Sequence, residues 1–285
     1  MMIHSVYTSK EGQNIIEQAY RVHLNSSLAQ GLTQRFVDTT HGKTFVIEKS
    51  ESGKPPVILL HGSVSNSASW LGLIPMFAER FSVYCLDIPG EPGLSESERF
   101  PLASHAPETW LKSALDGLGI DICLLLGMSL GGWYALNFAI TNPDRVAALS
   151  LVSAGGIARQ KTSFILKALL FMMMGQYGQK RLAKAIYHNV QIPKEIIDYQ
   201  AIVSKYFRPV TETLPIFTDE QLRALHVPIQ YFGGAHDVLL DAKTSVKRLH
   251  TLIDNAEAHL ITDSGHAIID KFEEARDFLA NHWSD

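Results

Sequence analysis

Short apolar runs alternate with helical segments along most of the chain after Pro55. The runs are rich in Val, Ile, Leu and aromatic residues and end in Gly or small polar residues: "PVILLHG", "FSVYCLDIPG", "DICLLLGMS", "VAALSLVSAGG", "VPIQYFGGAHD" and "AEAHLITDSGH". Continuous apolar strands separated by helices are typical of a parallel sheet that is covered on both faces. The pattern therefore predicts an α/β fold with a mostly parallel central sheet flanked by helices. Open sheets of this kind carry ligand sites at the carboxyl ends of their strands.

Two regions depart from this alternation. Residues 12–32 have apolar positions at helical spacing, and they predict an amphipathic N-terminal helix. Two antiparallel strands, "TQRFVDTT" and "KTFVIEKS", should follow, with a tight turn at His41-Gly42. Residues 157–226 contain no clear strand, and we interpret them as a helical cap inserted after the sixth strand. Residues 1–156 and 227–285 would then form the core.

Composition narrows the range of partners. The 285 residues are 46% hydrophobic and 19% charged, and the net charge is −4 with Lys and Arg scattered along the chain. This is typical of a soluble globular protein and argues against a nucleic-acid groove or a basic membrane patch, so a small-molecule partner is expected. No feature indicates a particular oligomeric state.

Targeting signals and cysteines point to the cytoplasm. The N-terminus lacks the basic start and apolar run of a signal peptide, and the most apolar window, residues 164–175, is too short to span a bilayer and contains Lys167. Cys85 and Cys123 lie inside apolar runs. We expect both to be free thiols in a reducing compartment.

The segment "GMSLG" places Ser129 between Gly127 and Gly131, directly after an apolar strand and before a helix. A serine at the apex of such a turn is a candidate nucleophile, and side chains at the two glycine positions would crowd it. The alternative is a serine that only caps the following helix.

A serine nucleophile needs a base and an acid that orients the base. His266 follows the last predicted strand and is the candidate base, whereas His61 in "LLHGS" is expected to pack against loop backbone and His236 to be a loop residue. The loop after the first strand that follows the nucleophile helix contains no carboxylate. The loop after the next strand supplies Asp237. Asp241, better explained as an N-terminal helix charge, and Asp263 are weaker alternatives.

An oxyanion site needs two N–H donors that point at one atom. The turn after the nucleophile offers the backbone N–H of Leu130, and the loop after "LLHG" offers the backbone N–H of Ser63. The alternative for this loop is an ordinary turn.

The ordered motifs "LLHGS", "LDIPGEPGLSE", "GMSLGG", "GGAHD" and "SGH" resemble the α/β-hydrolase superfamily over residues 55–285. The resemblance implies that Ser129, Asp237 and His266 form the catalytic triad, in the family's chain order. Relatives that dehalogenate or open epoxides have Asp in place of Ser129. Two features depart from the family pattern: the N-terminal helix, and "DIPGEPGLSE", which has an extra Pro-Gly spacing relative to D-x-x-G-x-G-x-S.

The resemblance implies a serine hydrolase that cleaves a carboxylic ester or related acyl substrate through an acyl-enzyme, with no metal or organic cofactor. Three alternatives stay open: a perhydrolase or haloperoxidase without cofactor, a carbon–carbon bond hydrolase, and a ligand receptor on the same scaffold. The candidate pocket residues are apolar side chains near the turn or in the cap: Trp70, Met128, Trp133, Phe171 and Met172. Any one of them can instead serve only to pack the cap on the body.

Overall fold

The structure is a computed structural model that describes residues 5–161, 171, 174–188, 190, 192–210 and 212–283. Eight strands form one sheet in the order β1-β2-β4-β3-β5-β6-β7-β8. They are β1 (Thr33–Thr39), β2 (Gly42–Lys49), β3 (Pro56–Leu60), β4 (Ser82–Leu86), β5 (Cys123–Met128), β6 (Val146–Val152), β7 (Ile229–Gly234) and β8 (Glu257–Ile261). Strand β2 pairs antiparallel with β1 and β4, and the other neighbours are parallel. The predicted mostly parallel sheet is confirmed.

Helices cover both faces of the sheet. In chain order they are α1 (Lys10–Leu24), α2 (Ile74–Ala78), α3 (Ala106–Leu118), α4 (Leu130–Thr141), α5 (Gly175–Tyr187), α6 (Lys194–Tyr206), α7 (Asp219–Arg223), α8 (Ala242–Leu252) and α9 (Phe272–Asn281). Side chains of α3, α4 and α8 pack on one face, and those of α1, α2 and α9 on the other. Along β5, Leu125 joins the first core and its neighbours Leu124 and Leu126 the second, as the two-residue period of a strand requires.

The N-terminal helix is shorter than the predicted residues 12–32. It begins at Lys10 and ends at Leu24, and a single 3₁₀ turn follows at Ser27–Ala29. The run Asn25-Ser26-Ser27 explains the early end, because short polar side chains compete for backbone groups. Here the Ser26 hydroxyl donates to the carbonyl of His23. The two predicted antiparallel strands are β1 and β2, which join through Thr40 and His41.

Between β6 and β7 the described residues form helices α5, α6 and α7. The division of the chain into a core and a cap at residues 157–226 stays a prediction. Helix α1 packs against α6, and the shared apolar cluster contains Ile16 and Val203. Of the apolar window at 164–175, Phe171 and Met174 have described side chains; Phe171 is half-buried and Met174 is exposed. No helix in the described part of the chain has the length and apolar character needed to cross a membrane.

Both cysteines are buried free thiols, as predicted. Burial raises the pKa of Cys123 to about 12 and raises that of Cys85 well above its ordinary value. Because the thiolate is the reactive form, neither cysteine is an alternative nucleophile at neutral pH.

Candidate active site

Ser129 occupies a sharp turn between β5 and α4. Its φ of 53° and ψ of −111° lie in a region that residues other than glycine rarely adopt. Three backbone hydrogen bonds hold it there: its N–H donates to the carbonyl of Val152 at 2.9 Å, and its own carbonyl accepts from the N–H groups of Trp133 at 3.0 Å and Gly155 at 3.2 Å. Its side chain makes no hydrogen bond to the first turn of α4. The helix-cap alternative therefore does not explain the hydroxyl.

The two glycines that flank Ser129 permit close backbone contacts. A Cβ atom at Gly127 would overlap the carbonyl of Gly131, and one at Gly131 would overlap the carbonyl of Leu60. The turn thus lies directly against the end of β3, and it brings Ser129 beside the loop that follows that strand.

Ser129, His266 and Asp237 form one chain of hydrogen bonds. Nε2 of His266 lies 2.9 Å from Oγ of Ser129, and Nδ1 lies 2.8 Å from Oδ2 of Asp237. An ionised Asp237 only accepts, so Nδ1 carries the imidazole proton and Nε2 accepts from the serine hydroxyl. Asp237 comes from the loop after β7 and His266 from the loop after β8, and the carboxyl ends of these two strands lie at the same edge of the sheet.

The environment of Asp237 keeps it ionised although it is only 2% exposed. Burial raises its pKa, but the attraction of His266 and hydrogen bonds from that ring and from the N–H groups of Leu240 and Leu239 outweigh it. The net effect holds the pKa of Asp237 below its ordinary value. The site therefore holds a negative charge behind the imidazole at neutral pH.

The alternative acids and bases have other contacts. Asp241 caps α8 by accepting from the N–H of Thr244 at 3.1 Å, and Asp263 is exposed. The ring of His61 is buried, with Nδ1 2.8 Å from the carbonyl oxygen of Gly62 and Nε2 accepting from the N–H of Ile88 at 3.0 Å. It packs against loop backbone, as predicted. The ring of His236 stacks on that of His188, with centroids 4.2 Å apart.

The loop after β3 passes over Ser129. A Cβ atom at Gly62 would lie 3.5 Å from Cβ of Ser129, so the next N–H, that of Ser63, is close to the nucleophile. Within the described residues, the Ser63 N–H has no protein acceptor. Leu130 is the first residue of α4, and first-turn N–H groups have no acceptor within their own helix. Both predicted donors are thus available to a bound group.

The structure places the predicted pocket residues in three ways. Trp70 and Trp133 are each 1% exposed; Trp70 packs edge-on against Phe272, and Trp133 donates to the carbonyl of Pro215. Core packing explains both. Met128 is half-buried beside Ser129, and Phe171 is half-buried, so these two stay pocket predictions. Met172 lies outside the described residues.

Sequence reasoning missed one buried group next to the site. Glu91 is 3% exposed, and its Oε2 accepts from the N–H of Val64 at 2.6 Å. It lies in "DIPGEPGLSE", where the spacing departs from the family pattern. That departure was the available signal, although a glutamate in a Pro-Gly loop ordinarily faces solvent.

Comparison with known proteins is consistent with this geometry. A protein-family model for the alpha/beta hydrolase fold matches residues 55–185 of the sequence. Uncharacterized carboxylesterase nap of Bacillus subtilis is 28% identical over 240 residues, which are 82% of this chain and 80% of that protein. The crystal structure of B. subtilis carboxylesterase CesB (YbfK) superposes with a TM-score of 0.83 at 24% identity, over 95% of this chain and 98% of that one. That of B. subtilis naproxen esterase (carboxylesterase NP) has a TM-score of 0.82 at 26% identity, over 96% and 97%. The chain therefore has the α/β-hydrolase fold and is similar in sequence and structure to bacterial carboxylesterases.

Proposed function

We propose that this hydrolase is a carboxylesterase that cleaves small-molecule esters through an acyl-enzyme on Ser129. One observation carries the proposal: the continuous hydrogen-bond chain from Ser129 through His266 to Asp237, at 2.9 and 2.8 Å. Carboxylesterases among the similar proteins support the substrate class.

In the first half of the reaction, Oγ of Ser129 attacks the ester carbonyl while Nε2 of His266 takes the hydroxyl proton. The imidazole becomes positively charged, and ionised Asp237 stabilises that charge while it fixes the ring orientation. The carbonyl oxygen becomes an oxyanion that accepts from the N–H groups of Ser63 and Leu130. His266 then gives its proton to the departing alkoxide, which leaves as the alcohol.

In the second half, water replaces the alcohol. His266 takes a proton from the water as it attacks the acyl carbon, and a second oxyanion forms at the same two N–H groups. When this intermediate collapses, His266 returns the proton to Oγ of Ser129 and the carboxylic acid departs. The same residues act in both halves, so no other proton carrier is required.

The acyl or alcohol part of the substrate would be apolar, because Met128 and Phe171, the two side chains still predicted to line the pocket, are themselves apolar. The cap at residues 157–226 would cover this pocket. A cytoplasmic location also stays a prediction from the sequence.

The proposal is tested by hydrolysis of short p-nitrophenyl esters. We expect wild-type turnover and a loss on the order of a million-fold in kcat for Ser129→Ala, the size seen when a triad serine is removed. Ser150→Ala is the matched control, since Ser150 is a fully buried serine within the neighbouring strand β6. Equal rates for wild type and Ser129→Ala would refute the assignment.

Three further readouts separate the alternatives. Labelling by a fluorophosphonate without repeated turnover of any acyl substrate would favour the receptor, and peracid formation that exceeds hydrolysis in peroxide would favour the perhydrolase. Release of a carboxylic acid from a carbon–carbon bond, with esters left intact, would favour the third alternative.

A further inference from the structure

Val64 has an unusual backbone conformation for its side chain. Its φ is 59°, in the left-handed region, which a β-branched residue adopts only when its surroundings impose it. It directly follows Ser63, the proposed oxyanion donor. A strained residue at this position indicates that neighbouring groups hold the loop in one shape.

Side chains bind both polar backbone groups of Val64. Its N–H donates to Oε2 of Glu91 at 2.6 Å, and its carbonyl accepts from Nε2 of Gln200 at 3.3 Å. Glu91 belongs to the loop after β4, and Gln200 to helix α6. The strained residue is therefore held between the body of the protein and a helix of the segment between β6 and β7.

The preceding peptide is fixed as well. The ring of His61 donates from Nδ1 to the carbonyl of Gly62, which belongs to the same planar peptide as the N–H of Ser63. In a trans peptide these two groups point in opposite directions. The direction of the Ser63 N–H thus depends on the contacts of the peptide groups on either side of Ser63, namely the Gly62 carbonyl and the Val64 N–H.

Helix α6 makes a second contact with this loop. The side-chain amide of Asn66 donates to the hydroxyl of Tyr199 at 2.6 Å and to the carbonyl of Pro92 at 2.8 Å. Tyr199 and Gln200 are neighbours on α6, so docking of the helix and the shape of the loop are linked.

We propose that Glu91 and Gln200 are positioning residues of the oxyanion site, which hold Val64 in its left-handed conformation and thereby aim the N–H of Ser63 at the substrate carbonyl. Neither side chain needs to touch the substrate. The proposal rests on the esterase function above, in which Ser63 donates to the oxyanion.

The surroundings of Glu91 make its hydrogen bond to Val64 dependent on pH. Burial raises the pKa of Glu91 to about 7, against the attraction of Arg99 and the hydrogen bonds from Val64 and Ser63. The nearest guanidinium nitrogen of Arg99 lies 4.0 Å from Oε1. Tyr134 and Tyr7 are further titratable groups near the carboxyl.

A cavity of about 260 Å³ borders Glu91, Arg99, Tyr134 and Leu130, with the exposed Glu212 at its wall. The cavity gives the carboxyl a route for protons. An ionised carboxylate is a stronger acceptor than the neutral acid. The loop is therefore held more firmly when Glu91 is charged.

The experiment compares kcat and KM for p-nitrophenyl butyrate in Glu91→Ala, Glu91→Gln and Gln200→Ala, with rates divided by the fluorophosphonate-labelled fraction. We expect kcat to fall about 10- to 100-fold in Glu91→Ala, less than the ~10²- to 10³-fold loss of a whole oxyanion donor. KM should change little, because the contact with the donor strengthens only in the transition state. Glu91→Gln should recover part of kcat, since an amide oxygen also accepts from Val64 but more weakly than a carboxylate.

The pH profile and a double variant add readouts that a merely structural role would not move. The acidic limb of the kcat profile should show one more ionisation in wild type than in Glu91→Gln, because only the wild-type side chain at this position can lose a proton. In Glu91→Ala/Gln200→Ala the loss should be smaller than the product of the single losses, because both groups act on one residue. The matched controls are Glu98→Gln in the same loop and Glu195→Ala on the same helix, both exposed.

Unchanged kcat per labelled site in Glu91→Ala and Gln200→Ala would overturn the proposal, as would a rise in KM alone. If Glu91→Ala does not fold, the profile of Glu91→Gln and the kcat of Gln200→Ala decide. Ser129→Ala distinguishes failure of the positioning role from failure of the esterase function. If Ser129→Ala is inactive while Gln200→Ala is fully active and the pH profile of Glu91→Gln equals that of wild type, only the positioning role is refuted. An active Ser129→Ala defeats the esterase function itself.

Discussion

Three residues with positive φ follow neighbouring strands at the edge of the sheet where the site lies. Val64, Ser129 and Ser153 have φ angles of 59°, 53° and 46° and follow β3, β5 and β6. Such conformations persist only where surrounding contacts enforce them, and they concentrate at functional sites. At Ser129 the strain exposes the hydroxyl to His266, and at Val64 it brings the preceding N–H over the turn.

The carboxylate behind the imidazole gives a prediction at the scale of one residue. Asp237→Asn should lower kcat by about 10⁴-fold, because the amide can donate to Nδ1 and so favour the tautomer whose Nε2 cannot accept the serine proton. Steady-state hydrolysis of p-nitrophenyl butyrate at pH 7.5 or so measures the loss.

Asp263→Asn is the control for this change, since Asp263 is an exposed carboxylate three residues before His266. It should keep wild-type kcat. Comparable losses in the two variants would mean that Asp237 has no special relation to the base.

The site residues differ in how well the sequence alone locates them. Ser129, His266 and Asp237 could be located from the sequence because each follows a strand, and parallel strands present their carboxyl ends together. For Glu91 the irregular spacing of "DIPGEPGLSE" marks the loop but not the role of the side chain, because its partner is a backbone N–H that no side-chain pattern records. Trp70 and Trp133 show the opposite case, since large aromatic side chains near a site can equally fill the core.

At the scale of elements, the contact between α1 and α6 connects the N-terminus to the active-site loop. Tyr7 pairs with Phe207 through a backbone bridge, and the N–H of Thr8 donates to the carbonyl of Tyr206. The N-terminal segment thus holds the end of the helix that carries Gln200. Helical spacing predicts the existence of α1, but its partner could not be predicted, because an amphipathic face does not specify what it packs against.

This contact predicts unequal effects for two apolar residues of α1. Ile16→Ala should lower the free energy of unfolding by about 2–5 kcal/mol, the usual loss for a buried Ile, since Ile16 is 0% exposed and contacts the apolar cluster with Val203. Urea unfolding followed by circular dichroism measures the change.

Val22→Ala on the same helix is the control, because Val22 is 70% exposed. Its unfolding free energy should stay within about 0.5 kcal/mol of wild type. Equal destabilisation of both variants would show that the α1–α6 contact does not carry the stability assigned to it.

At the scale of the whole molecule, the layered fold allows the site to contain an unfavourable group. The apolar layers on both faces of the sheet supply the stability, and the loops at one edge carry the strained and charged residues. Glu91 is such a group, because burial raises its pKa to about 7 from an ordinary 4.5. Between these values the folded protein binds a proton that the unfolded chain releases, so the contribution of Glu91 to stability falls as pH rises.

The cost of this carboxyl is measurable as a difference between two proteins. A carboxyl that titrates near pH 7 when folded and near 4.5 when unfolded lowers the free energy of unfolding by roughly 3 to 4 kcal/mol across that interval, since one pH unit corresponds to ~1.4 kcal/mol. Glu91→Gln lacks this titration. Its free energy of unfolding relative to wild type should therefore increase from about pH 4.5 to about pH 7 and stay level above.

Urea unfolding of wild type and Glu91→Gln across this pH range tests the prediction, with Glu98→Gln as the control for a Glu-to-Gln change in the same loop. Titrations that the two proteins share, including that of buried His61, cancel in the difference. A relative stability that stays constant with pH, or that falls as pH rises, would contradict the raised pKa of Glu91. The expected result is that the stability of Glu91→Gln relative to wild type increases with pH, and that the kcat profile of this variant lacks one ionisation. The ionised carboxylate of Glu91 would then both lower the stability of the protein and hold the oxyanion loop over the same pH range.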